Sequence, residues 1–258
     1  MSTADDRAAA EIPGDGGRPD TAVGITSAPA WLPSAPLPRE FFAREAPVVA
    51  RALVGKVLYR RDVDVAARVV EVEAYTQDDP ACHAYGRRTA RNEPLWGPPG
   101  HAYVYRSYGV HWCFNVSTGT DGVAQGCLIR AAQPLRGVAW LRGRRPVRDD
   151  LDLLRGPAKL CQSFGITGTM SGADVCDGDA TTSRHDGRRG AARTAVVGFA
   201  DDGTSPQVGT GPRVGVSQAA DVPWRFFATS SPWVSPYRRS PRAPRPDSAG
   251  QPLPPARG

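Results

Sequence analysis

Residues 68–75, Arg-Val-Val-Glu-Val-Glu-Ala-Tyr, alternate with a period of two. Val70, Val72 and Ala74 fall on one face of an extended segment, and Glu71, Glu73 and Tyr75 on the other. A helical period would scatter these side chains, so the segment is predicted as a half-buried strand. Its polar side then carries two carboxylates and a phenol in a row. By itself, Glu-x-Glu on a strand reads as a solvated face.

The same logic runs from Ala102 to Ser117. Ala102, Val104, Arg106 and Tyr108 share one face of a strand, with Tyr103, Tyr105 and Ser107 on the other. After Gly109, Val110, Trp112, Phe114 and Val116 form an apolar face, opposite His111, Cys113 and Asn115. The two runs read as a β-hairpin joined through Tyr108-Gly109, with glycine supplying the turn conformation. Such turns are normally polar, so Tyr108 needs a reason. Either it packs on a neighbouring loop, or it is a wedge of the kind that pries apart stacked bases in a DNA groove.

Around these runs the chain supplies further elements. Leu37 to Phe42 suggests a short helical turn. Pro47 sits in the first turn of a helix reaching about Leu53, with Gly55 at its end. Strands are predicted at 57–59, 63–74, 126–132, 195–200, 213–216 and 224–228. Helices are predicted at 137–145 and from Pro157, with Gly165 past the end of the second. The exposed amides at the start of that last helix suit a phosphate. Residues 76–101 form an aperiodic connection holding His83, Arg87, Arg88, Arg91 and His101, and connections this long inside a compact domain are usually functional. Its arginines fit either a phosphate track or a solvated loop. Residues 168–193 read as a variable loop.

Strands dominate and come in hairpins. The expected fold is therefore a single α+β domain with a curved, mostly antiparallel sheet, a protruding β-hairpin and surrounding helices. The domain is expected over 36–239, between a disordered tail at 1–35 and a disordered basic tail at 240–258. Of 258 residues, 40% are hydrophobic, enough to bury a sizeable core. The net charge is +6; the first 38 residues hold five acids and two bases, so the remainder carries +9. A basic body fits nucleic acid or merely a basic proteome. The acidic start lacks an apolar core, so no export signal is expected, and no run approaches membrane-spanning length. A cytoplasmic monomer acting at the nucleoid is the expectation. Five cysteines form no Cys-x-x-Cys pair, which points to reduced, buried thiols rather than a zinc site. No metal or cofactor is expected.

Five motifs occur in a fixed order: Glu-x-Glu-Ala-Tyr (71–75), Pro-Gly-x-x-Tyr-Val-Tyr-x-x-Tyr-Gly (99–109), Leu-Ile-Arg-Ala (128–131), Gly-Pro-x-Lys-Leu-Cys-Gln (156–162), and Arg-Val-Gly-Val (213–216) followed by Ser-Pro-Trp-Val-Ser (231–235). In this set, spread over roughly residues 36–239, the chain resembles the alkyladenine (3-methyladenine) DNA glycosylases. Any one motif is weak; five in order are specific.

The resemblance implies double-stranded DNA containing damaged purines as partner. It also implies hydrolysis of the bond between base and sugar, with 3-methyladenine, 7-methylguanine, hypoxanthine and ethenoadenine as substrates. That chemistry requires a base turned out of the stack, a filler for the gap, aromatic faces to grip the base, and a general base for water. Carried over motif by motif, Glu73 is the general base, and Arg130 helps to hold the water together with a backbone carbonyl. Tyr75, Tyr105 and His83 grip the flipped base. Tyr108 fills the gap in the duplex. Asn115 disfavours the amino group of normal guanine, and Leu128 lines the pocket. Glu71 is assigned a structural role. A monofunctional enzyme is expected, because the two lysines, Lys56 and Lys159, lie outside the set that carries the chemistry. Two rival readings are a non-catalytic lesion-binding module using the same pocket, and a formyltransferase-like domain of related shape. The first has no need of Glu73 and the second no need of Tyr108.

Overall fold

The computed structural model describes residues 32, 35–176 and 195–244. In chain order the strands and helices are β1 (Ala35–Pro36), α1 (Arg39–Phe42), α2 (Ala46–Leu53), β2 (Val57–Arg60), β3 (Ala66–Thr76), β4 (Ala102–Ser107), β5 (His111–Ser117), β6 (Gln125–Arg136), α3 (Val138–Arg144), α4 (Pro157–Phe164), β7 (Val197–Asp201), β8 (Val208–Gly211) and β9 (Arg225–Ala228). The strands form one sheet in the order β1-β7-β2-β3-β6-β5-β4, with β9 pairing both β3 and β8. Every pairing is antiparallel. The sheet curls, and the chain is a single α+β domain.

β3 is the hub. It pairs with β2 through its first residues, with β6 along most of its length, and with β9 from Glu71 to Glu73. Its register against β6 shifts at Ala66, at Glu71 and again before Val72. Such bulges bend a strand and re-aim side chains. The expected half-buried character is corrected here. Val70, Val72 and Ala74 are in the core, but Glu71 and Glu73 are also fully buried, at 0% exposure. Their face is covered by the chain around Val214 and Ser235, which a local period cannot anticipate.

The main core joins Phe42, Leu53, Leu58, Val72, Phe114, Ile129, Phe164 and Phe199 between the sheet and helices α2 and α4. α2 carries Pro47 in its first turn and buries Val49, Ala50 and Leu53. Gly55 follows at φ +99°, and a Cβ there would meet the Thr204 carbonyl at 2.9 Å, so only glycine fits. α4 starts at Pro157 and ends on Gly165 in the left-handed region, as its sequence predicts. The five cysteines are free and buried.

β4 and β5 are joined through Tyr108, Gly109 and Val110, with Ser107 opposite His111. The Val110 amide donates to the Ser107 carbonyl at 3.2 Å. Tyr108 and Gly109 both have positive φ, +51° and +72°, the signature of a primed turn whose twist matches the strands. A tyrosine in that region is strained by roughly 1–3 kcal/mol. Its side chain is 94% exposed, so no packing contact explains it.

Several boundaries differ from the sequence reading; β6, for one, runs on to Arg136 rather than ending at Ala132. β3 begins at Ala66 rather than at Val63, because Val63 and Asp64 belong to the preceding turn. Residues 213–216 are not a strand; the pairing with β9 is made upstream by Val208–Gly211, which frees the Arg-Val-Gly-Val segment to lie against Glu73. The expected loop at 168–193 is described up to Cys176, where His101 bridges Asp174; its remainder lies outside the described residues. The two expected tails lie outside them too, save Leu32, Ala35 and residues 240–244. No helix among the described residues is long and apolar enough to cross a membrane.

Candidate active site

A cavity of about 290 Å³ opens beside β3, and all eight side chains singled out from the sequence border it. β3 supplies Glu73 and Tyr75, β4 supplies Tyr105, β5 supplies Asn115, and β6 supplies Leu128 and Arg130. His83 reaches it from the long connection and Tyr108 stands at its edge. The sheet register makes this convergence possible: Glu73 lies opposite Leu128, Leu128 opposite Asn115, and Asn115 opposite Tyr103.

Glu73 is held on three sides. Its Oε1 accepts the Val214 backbone N–H at 2.7 Å. Its Oε2 accepts the Tyr75 hydroxyl at 2.8 Å and Arg130 Nη1 at 3.3 Å. Charge-assisted hydrogen bonds of this kind fix a carboxylate in position.

Glu71 has different company and does not border the cavity. Its Oε1 accepts Arg225 Nε at 2.6 Å, the Ser235 hydroxyl at 2.9 Å and Arg130 Nε at 3.0 Å, and its Oε2 accepts the Ser235 amide at 2.7 Å. Burial alone would push the Glu71 carboxyl up, but Arg130, Arg225 and the Ser235 hydrogen bonds outweigh it and hold the carboxyl below its ordinary value. Arg130 stands between the two carboxylates, its Nε on Glu71 and its Nη1 on Glu73. Arg130 is 7% exposed. Burial favours its neutral form, yet Glu73 and Glu71 override it and the guanidinium stays charged.

The opposite wall is aromatic. The rings of Tyr103 and Tyr105 stack at 5.4 Å, and His83 sets its edge against Tyr105 at 4.3 Å. His83 Nδ1 is 3.0 Å from the Tyr103 hydroxyl. Burial, with Arg91 nearby, lowers the His83 pKa, so the imidazole is neutral at pH 7. Asn92 Nδ2 donates to the His83 carbonyl at 2.9 Å and secures the loop. Burial also pushes the Tyr103 phenol up to about 12. Tyr75 goes up as well, through burial and then the charge of Glu73, so it remains a hydrogen-bond donor. Asn115 donates to the Tyr103 carbonyl at 3.0 Å. Such a wall offers π faces to a planar ligand, and the carboxylate opposite offers an acceptor.

Sequence reasoning passed over several residues. Val214, Arg213 and Ser235 lie within motifs it had quoted, but as parts of strands or as chain ends. Asp79 and Arg225 carried no signal beyond their charge. Of the connection's arginines, Arg88 pairs with Glu93 at 2.9 Å, and Arg91 reaches the Arg106 carbonyl at 3.2 Å while its guanidinium sits 5.7 Å from the Tyr105 ring. Among the described residues, no group of three or more His, Cys, Asp or Glu side chains is placed to hold a metal ion.

A family model for methylpurine-DNA glycosylase matches residues 40–232. Three similar proteins bear the name "Putative 3-methyladenine DNA glycosylase". One, from Burkholderia lata, is 44% identical over 212 residues, covering 81% of this chain and 94% of that protein. Another, from Nocardia farcinica, is 45% identical over 205 residues, covering 77% and 90%. The third, from Methanoculleus marisnigri, is 40% identical over 200 residues, covering 77% and 98%. The motifs, the aromatic cavity with its buried carboxylate, and these matches agree: the chain belongs to the methylpurine-DNA glycosylase family.

Proposed function

We propose that the protein excises damaged purines from double-stranded DNA by hydrolysing the N-glycosidic bond, with Glu73 as general base. The observation that carries this reading is a fully buried carboxylate facing an aromatic cavity, oriented by the Val214 amide, the Tyr75 hydroxyl and Arg130. A module that only bound lesions would bear the desolvation of that carboxylate for no return.

In the reaction, a water in the cavity gives its proton to Glu73 while its oxygen bonds to C1′ of the flipped nucleotide. The C1′–N9 bond breaks and its electrons leave with the purine. A base alkylated at N3 or N7 is already cationic and departs neutral; a deaminated or etheno base needs a proton. Tyr105, Tyr75 and His83 grip the base by its faces and edge. Leu128 closes the floor beside Asn115, which opposes the amino group of normal guanine. Tyr108 enters the stack where the base has left. Its strained, solvent-facing turn supports that role.

The enzyme is proposed to be a monomer whose catalytic body spans 36–239, needing no metal or cofactor, and monofunctional. Lys56 is paired with Asp201 at 2.6 Å and Lys159 with Asp152 at 2.7 Å, and neither borders the cavity. The test is a panel of duplexes carrying 3-methyladenine, 7-methylguanine, hypoxanthine or ethenoadenine, scored for release of free base. Release from damaged but not undamaged duplex is expected; a gel shift on these duplexes without release of any base would overturn the reading in favour of a binding module.

A further inference from the structure

Behind the Tyr75 ring lies a buried guanidinium that the reaction above does not use. Arg213 is 1% exposed and does not border the cavity. Its Cζ sits 4.6 Å from the centre of the Tyr75 ring and 5.5 Å from that of Trp224. Its Nη1 donates to the Ala74 carbonyl at 3.0 Å, the peptide link between the two site residues of β3. Its Nη2 donates to Asp79 Oδ1 at 3.0 Å, Nη1 also pairs with Oδ2 of the same carboxylate, and Nη2 reaches the Ala219 carbonyl at 3.4 Å.

Asp79 organises the turn that presents His83. Its carboxylate accepts the Ala81 amide at 3.0 Å and its carbonyl accepts the Cys82 amide at 2.8 Å. The residue after Arg213 is Val214, whose amide is on Glu73 at 2.7 Å. One side chain therefore touches the β3 backbone, the Tyr75 ring and the His83 turn, and its own backbone leads directly to the Glu73 contact. Burying such an ion pair is a poor way to gain stability, since an apolar pair of similar volume usually does as well or better. Stability alone does not account for it, whereas geometry does.

We propose that Arg213, clamped by Asp79, is a positioning residue that holds the Val214 amide and the Tyr75 hydroxyl on Glu73 and so fixes the direction of the general base. The proposal rests on the reading of Glu73 given above. It acts on the chemical step, because a misplacement of about 1 Å at a reacting group lowers the rate on the order of 100-fold. It acts little on duplex binding, because Arg213 is 1% exposed and offers the duplex no surface of its own.

The experiment is single-turnover base release from a 7-methylguanine duplex across a range of enzyme concentrations, with thermal unfolding of each variant. For Arg213→Met, the rate at saturating enzyme should fall on the order of 100-fold while the half-saturating concentration stays near wild type. Arg213→Lys, which keeps a cation for Asp79, should recover part of the lost rate. If Arg213→Met does not fold, Asp79→Asn replaces it as a near-isosteric break of the clamp, with the same split expected. A wild-type saturating rate in Arg213→Met or Asp79→Asn, with only a lower Tm or a raised half-saturation, would overturn the proposal. Glu73→Gln is run alongside. If it releases base normally, the general-base reading fails and takes this proposal with it. If it is inactive while the Arg213 and Asp79 variants keep the wild-type rate, only the role of Arg213 is lost.

Discussion

Nη1 of Arg130 lies 3.3 Å from Oε2 of Glu73, and the same guanidinium is anchored from behind by its Nε on Glu71 at 3.0 Å. The fork spans two carboxylates two residues apart on β3, and a point charge on a flexible stem cannot reproduce that. Arg130→Lys is expected to keep the fold and the affinity for damaged duplex but to lower base release on the order of 100-fold. Single-turnover rates beside a binding titration measure the split; an unchanged rate would show that the fork does not serve Glu73.

Glu71 gives a prediction about acid stability. Its folded pKa lies below the ordinary value because Arg130, Arg225 and Ser235 outweigh burial. A depressed carboxylate stabilises the fold above its unfolded pKa, and that stabilisation disappears as pH falls toward the folded one. Glu71→Gln should therefore be destabilised by up to about 3–5 kcal/mol at neutral pH. The gap to wild type should narrow below about pH 4. Denaturant unfolding at about pH 7.5 and at about pH 3 checks this; a gap that widens on acidification would contradict it.

Tyr108 is 94% exposed in a strained turn, so its removal should not harm the fold. Tyr108→Ala is expected to leave Tm unchanged or slightly raised. Contacts between a base and an aromatic ring contribute roughly 1–3 kcal/mol. Capture of the flipped state should then weaken by about 5- to 150-fold. Comparing duplex with single-stranded substrate isolates the effect; equal loss on both would mean that Tyr108 is not a wedge.

Borohydride trapping on a lesion duplex addresses the proposed absence of backbone cleavage. A Schiff base needs a free amine at the sugar, and Lys56 and Lys159 are ion-paired away from the cavity. No covalent protein–DNA adduct is expected. An adduct that disappears in Lys56→Arg or Lys159→Arg would contradict the water mechanism.

The choice of candidate residues came from the motifs the chain shares with its family; what alternation added was the placement of four of them, which line one cavity. Glu73, Tyr75, Tyr105 and Asn115 are placed by alternation, and the β3–β6, β6–β5 and β5–β4 pairings bring them together. What alternation could not show was which polar face becomes interior. Glu71 and Glu73 are buried by segments about 140 to 160 residues away, Val214 and Ser235. For the same reason residues 213–216 looked like a strand: a short apolar run has no local mark that distinguishes pairing from packing on a carboxylate. The register shift at Glu71 falls where β3 pairs with both β6 and β9.

The central claim is that Glu73 takes the proton of the attacking water. Glu73→Gln keeps the size of the side chain but removes its charge and turns one of its two acceptor oxygens into a donor. Single-turnover release of 7-methylguanine, measured beside binding of the same duplex, is the most direct test. The expected result is loss of base release with binding near wild type; release at the wild-type rate from the bound complex would contradict the claim.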